Sequence, residues 1–116
     1  MEIENRQEGN VMVLTLIGRL DLASGAVLKE NVKKHFENNM TSIHLNFTGI
    51  EFVNSSGLGA LVSIMKETRI LKGRLTFSNL SSFVQELLDI TQLSQIFEIY
   101  STEEETLKTY LTATLG

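Results

Sequence analysis

The sequence predicts an α/β fold: a single domain with a mostly parallel central sheet, an N-terminal antiparallel edge hairpin and about four helices. Three observations carry this. Short β-favouring runs alternate with amphipathic helical segments, the pattern of right-handed βαβ crossovers. The first two β runs are separated only by Gly9-Asn10, a turn signal that makes them a hairpin. The chain has 116 residues, 42% hydrophobic and 21% charged, which suits one domain with a full core and is too apolar for disorder.

The elements follow in order. Glu2 to Gln7 forms a short first strand. "VMVLTLIG", Val11 to Gly18, is nearly continuously apolar, so both of its faces are covered. "RLDLASGAVLKENVKKHFENN" turns helical around Ser24, a suitable N-cap. Leu28, Val32 and Phe36 form its buried stripe, with Lys29, Glu30, Lys33, Lys34 and Glu37 on the wet side and Asn38-Asn39 as the stop. "SIHLNF", Ser42 to Phe47, alternates strictly as a strand and ends in a turn at Thr48-Gly49.

A second helix carries Leu58, Leu61, Val62 and Met65 at helical spacing, runs to about Leu71 and stops at Gly73. "RLTFSN" is a strand, and "SSFVQELLDI" a helix whose apolar side is Phe83, Leu87, Leu88 and Ile90. "IFEIY" is the final strand. The last helix is capped by Ser101 or Thr102, with Glu103 to Glu105 near the positive end of its dipole, where a solvated start is expected.

Composition narrows the function. There is no cysteine, which excludes disulfides, thiol nucleophiles and thiolate metal sites. Two histidines make a poor metal site, and no cofactor is expected. Net charge is −4 with no basic stripe, so direct nucleic-acid binding is not expected. No apolar run approaches the roughly 20 residues of a membrane helix, so no membrane insertion is expected. "MEIENRQEGN" does not read as a signal peptide, and the cytoplasm is the expected location.

One stretch invites chemistry: "EFVNSSGLGALVSIMK", Glu51 to Lys66. Ser55 or Ser56 can cap the helix, Ser56 being the better candidate. A cap explains one hydroxyl and leaves the second over. Glycine at 57 and 59 costs up to about 1 kcal/mol each against alanine in a helix, so both are read as keeping the helix end open to a phosphate or a partner. The nucleophile elbow is excluded, because Val53 stands where it needs glycine. A hydrolase would need His35 or His44 beside Ser55; both read as packed or solvent-facing structural histidines. Asp21 falls in the turn before the first helix, either as a turn residue or lining the same sheet edge as Ser55.

"FVNSSGLGALV" resembles the Asp-Ser-Ser-Gly-Leu-Gly signature of STAS domains, and most nearly that of bacterial anti-sigma factor antagonists of the SpoIIAA and RsbV kind. "GRLDLASGAVLKE", "IHLNFTGIEFV" and the stretch from Lys72 to Leu107 are similar to the family too, so the resemblance covers essentially the whole chain as one domain, 1–116. It implies a binding protein and not an enzyme. Unphosphorylated, it would bind an anti-sigma factor that is also a serine kinase and so free a sigma factor. The kinase would use ATP and magnesium to phosphorylate Ser55, ending the binding, and a PP2C-type metal-dependent phosphatase would reset it. Asp21, Asn54, Ser56, Gly57, Leu58 and Gly59 would shape the docking edge. The alternative is a STAS subunit of a lipid-transport or stress-signalling assembly that docks through the same surface without a phospho-switch. The chain departs from the signature at Asn54, where the family has aspartate; asparagine keeps the hydrogen-bonding capacity and loses the charge.

Overall fold

Alternating strands and helices of this length can only bury their apolar sides by layering helices on a sheet. The computed structural model shows that arrangement and describes residues 1–115, with side chains described through Leu111. The order is β1 (Glu2–Glu8), β2 (Val11–Leu20), α1 (Leu22–Glu37), β3 (Ser42–Val53), α2 (Ser55–Ile70), β4 (Arg74–Ser78), α3 (Ser82–Ile90), β5 (Glu98–Tyr100) and α4 (Glu103–Leu115), with a short 3-10 turn at Leu93–Gln95. The five strands lie in sequence order; β1 runs antiparallel to β2 and all other neighbours are parallel. The predicted α/β architecture, hairpin and four helices are all present.

Because the strands advance across the sheet in one direction, right-handed crossovers put α1, α2 and α3 on one face. That face holds the main core. Leu14, Leu16, Ile43, Leu45 and Phe47 from the strands meet Leu28 and Val32 of α1, Leu61 and Ile64 of α2, and Val84 and Leu88 of α3. Phe77 lies between the rings of Phe47 and Phe97, at centroid distances of 4.9 and 4.6 Å. On the opposite face α4 covers a much smaller apolar group, Val11, Val13 and Tyr110, with Leu107 packed against it. Val11 to Leu14 are therefore buried from both sides, as the unbroken apolar run implies.

Several local expectations are corrected. The first helix begins at Leu22, and its N-cap is Asp21 in place of Ser24. Asp21 Oδ1 accepts from the Ser24 amide at 3.1 Å, and the Ser24 hydroxyl accepts from the Asp21 amide at 2.9 Å, a reciprocal capping box. Thr48-Gly49 is no turn: β3 runs on to Val53. Two register shifts against β2, one at Thr15/Ile17 and one at Gly18/Arg19, absorb the irregular stretch as bulges. In α3 the buried residues are Val84 and Leu88, whereas Phe83 and Ile90 are exposed. At the end of α2 the left-handed residue is Lys72, with φ 57°, and not Gly73. Glycine is still required at 73, because any Cβ there would run into the Thr41 carbonyl.

Candidate functional site

The site is built where β2 and β3 end side by side. Leu20 is paired with Val53, so the next residues, Asp21 and Asn54, start α1 and α2 as neighbours at the carboxyl edge of the sheet. The Asn54 amide donates to the Leu20 carbonyl at 3.2 Å, which ties the two turns together. Ligand sites in open α/β sheets sit at such an edge.

Asn54 is the N-cap of α2. Its Oδ1 accepts from the Gly57 amide at 2.9 Å. This overturns the capping role read for Ser55 or Ser56. An N-cap residue needs extended backbone, and Asn54 has it, at φ −105° and ψ −176°. The two serines are the first two helical residues, and both are exposed. Asn54→Ala is thus expected to lower stability by about 1 kcal/mol, with Ser56→Ala close to neutral; denaturant midpoints of the two variants check this.

The glycines divide. Gly57 is buried, and a Cβ there would collide with the carbonyl of Leu20, so it exists to let α2 press onto the end of β2. The reading of Gly57 as an opening for a ligand is corrected accordingly. Gly59 is exposed and a Cβ added there would meet nothing within 4 Å. Leu58 points inward and belongs to the main core, with 9% of its surface exposed. Asp21 and Asn54 are half-buried. The backbone and side-chain hydrogen bonds from Ser24 hold the Asp21 carboxyl below its ordinary range.

Neither histidine serves this edge. His35 Nε2 lies 2.7 Å from Asn5 Oδ1 on β1. His44 is fully buried beneath α4, with its ring nitrogens 2.8 Å from Thr76 Oγ1 and 2.7 Å from Ser78 Oγ. The ring-nitrogen bonds of both histidines thus go to groups other than Ser55, unlike the nucleophile–base pair of a serine hydrolase. Among the described residues no cluster of three or more His, Asp or Glu side chains could hold a metal ion, and no helix is long and apolar enough to cross a membrane. Glu103 is more than a solvated helix start: its carboxylate accepts from Arg6 and Asn46.

Two surface features escape the sequence reading. Leu22 and Val27 on the first turns of α1 are 75% and 55% exposed. Their position off the Leu28–Val32 stripe was visible in the helical phase. The second is a stack in which the Arg19 guanidinium lies over the Phe52 ring at 4.1 Å, with Phe83 on Phe52 at 6.4 Å. The bulge that aligns Arg19 with Phe52 has no local signature in the sequence.

The two runs that build this edge carry no charge of their own, and the ionised carboxyl of Asp21 stands beside them. No charged residue occurs from Leu22 to Leu28 or from Phe52 to Met65. Leu22, Ala23, Ala26, Val27, Ser55, Ser56 and Gly59 are exposed within those two runs.

Residues 2–106 match the STAS domain family. The anti-sigma-B factor antagonist of Bacillus subtilis (strain 168) is 27% identical over 104 residues, covering 90% of this chain and 94% of the relative. The anti-sigma-B factor antagonist of Listeria monocytogenes is 27% identical over 105 residues, covering 90% and 91%. The unphosphorylated form of the anti-sigma factor antagonist SpoIIAA superposes with a TM-score of 0.81 at 23% identity, covering 96% of this chain and 97% of that one; its likeness is one of fold. With a family match across nearly the full sheet-and-helix frame, the chain belongs to the STAS domain family.

Proposed function

We propose that this protein is an anti-sigma factor antagonist switched by phosphorylation of Ser55. Unphosphorylated, it docks on an anti-sigma factor that is a serine kinase and so releases a sigma factor. Phosphate transferred from ATP to the Ser55 hydroxyl ends the binding, and a PP2C-type phosphatase restores it. The chain supplies a surface and performs no catalysis, and it acts in the cytoplasm. The relatives reported above, which carry the antagonist role in their names, support this reading.

The observation that carries it is that Ser55 is exposed on the first turn of α2, within a run that holds no charged residue. A partner seated on those residues excludes water from neutral groups at little cost. A phosphate adds about −1.5 to −2 charges to the middle of that contact. At the first turn of α2 the free amides and the helix dipole tolerate it, so the fold survives while the complex does not. Asp21, Asn54, Ser56 and Gly59 frame the docking edge, whereas Gly57 and Leu58 act from beneath by fixing how α2 is seated. Asn54 has a role of its own: lacking a carboxylate, it adds no repulsion against the incoming phosphate.

The test is incubation with the cognate anti-sigma factor kinase, ATP and magnesium, followed by peptide mass spectrometry. Phosphate on Ser55 and none on Ser56 is expected, and Ser55→Ala should bind the kinase yet never be released by ATP. A chain that binds no anti-sigma factor, or that is never phosphorylated by one it binds, belongs instead to another STAS assembly that docks without a switch.

A further inference from the structure

α4 is attached to the sheet in a different way from the other helices. The groups buried beneath it are mostly polar. Ser78 Oγ donates to Asn79 Oδ1 at 2.7 Å, so it accepts from His44 Nε2–H at 2.7 Å. His44 Nδ1 lies 2.8 Å from the Thr76 hydroxyl, which lies 2.9 Å from the Tyr110 hydroxyl of α4, and Tyr110 also reaches the Ile43 carbonyl at 3.3 Å. The result is one chain of hydrogen bonds from α4 across β3 and β4 to the loop before α3, and burial favours its neutral imidazole. Protonated His44 would donate from both nitrogens, so Thr76 would turn to donate to Tyr110, and Tyr110 would be left with the longer bond to the Ile43 carbonyl.

The start and the middle of α4 are held by polar contacts as well. At its start Glu103 accepts from Arg6 of β1 and Asn46 of β3. Further along, Arg74 of β4 donates to Thr109 at 2.8 Å, lies over the Tyr110 ring at 4.0 Å and pairs with Glu98 of β5. Against this seam the apolar contact among the described residues is Val11, Val13, Tyr110 and Leu107. A sheet face of imidazole, hydroxyls and amide can be rehydrated, unlike the main core on the other side.

We propose that α4 is a detachable strap: it leaves the sheet as a unit while the core under α1, α2 and α3 stays folded, and proton uptake by His44 promotes the release.

The sign follows from the surroundings of His44. Burial lowers its pKa from 6.5 to about 4; the charge of Glu103 on α4 pulls it up, and that of Arg6 on β1 pushes it down. Val13 on β2 and Thr76 and Ser78 on β4 bring no charge, and Tyr110 is neutral in this range. In the opened state the imidazole returns toward its ordinary value. Docking is therefore fully present above about pH 6.5 and weakens as pH falls toward 4. Burial raises the pKa of Glu103, but the bonds from Asn46 and Arg6 and the nearby positive charge outweigh it, so its carboxyl is held low. The bond from Arg74 holds Glu98 low as well. Both carboxylates lose their charge only at lower pH, which leaves His44 as the titrating member of the seam between pH 7.5 and 5.

Native-state amide exchange on the whole chain, read by NMR at pH 7.5 and pH 5 with a low-denaturant series, tests this. The amides of Leu107 to Leu111 should exchange through an opening more frequent than global unfolding and with a smaller denaturant slope than those of Val13 and Leu45. That opening should become about 25-fold more frequent at pH 5, and His44→Gln should flatten the response. Tyr110→Phe should open α4 several-fold more often with the pH response kept, which tests the seam even if His44→Gln does not fold. Three results would each overturn the proposal: α4 amides following the core in both free energy and denaturant slope, a pH response that persists in His44→Gln, or α4 exchange unmoved by Tyr110→Phe.

Discussion

Phosphorylated on Ser55, the chain is expected to bind its anti-sigma factor at least about 100-fold more weakly than the unmodified chain, with its melting temperature essentially unchanged. The magnitude follows from desolvation. Burying an unpaired charge at an interface costs about 3 kcal/mol or more, and every 1.4 kcal/mol is about tenfold in affinity. The uncharged runs on α1 and α2 offer no countercharge near the phosphate to offset that cost. The fold escapes because Ser55 is exposed and its backbone sits in the first turn of α2, where negative charge is favourable. Ser55→Asp, with one charge in place of nearly two, should lose less affinity in the same direction. Calorimetric titration against the anti-sigma factor gives the affinities, and a thermal melt of each form gives the stabilities. Equal affinity of the two forms would remove the switch.

The second large effect concerns glycine. Gly57→Ala is expected to destabilise the protein by about 3 kcal/mol, while Gly59→Ala, two residues on in the same helix, should stabilise it by up to about 1 kcal/mol. At Gly57 the added methyl meets the Leu20 carbonyl, which is backbone and cannot rotate aside; α2 would have to lift from the end of β2. At Gly59 it meets open solvent and brings only the better helix propensity of alanine. Urea unfolding of the two variants should move the midpoint in opposite directions. Gly57→Ala should also weaken partner binding, since the displaced turn carries Asn54 and Ser55. Similar stability of both variants would show that α2 is not seated as described.

The element order was legible because the runs differ in pattern: β2 is almost unbroken apolar sequence, β3 alternates, and α1 and α2 repeat at helical spacing. What lay beyond local pattern was misread. Asp21 and Ser24 both suit a helix start, and only the reciprocal bonds show that Asp21 is outside the helix and Ser24 three residues in. Asn54, with two serines directly behind it that suit a cap equally well, is marked as the cap only by its bond from the Gly57 amide. Thr48-Gly49 carries turn chemistry, yet the parallel neighbour β2 holds the chain in the sheet through two bulges. Gly57 owes its identity to a carbonyl on another strand, a contact that no spacing within α2 encodes. His44 alternates in phase with Asn46 as though facing water; it is buried because α4, far along the chain, returns to cover that face.

The central claim is that one exposed hydroxyl, on the first turn of α2, decides whether the partner is held. It is tested most directly by adding the chain to a preformed complex of its anti-sigma factor and sigma factor and following release of the sigma factor. The same preparation is measured before and after stoichiometric phosphorylation of Ser55. Release by the unmodified chain and none by the phosphorylated chain is the expected result. Equal release by both forms, or none by either, would contradict it.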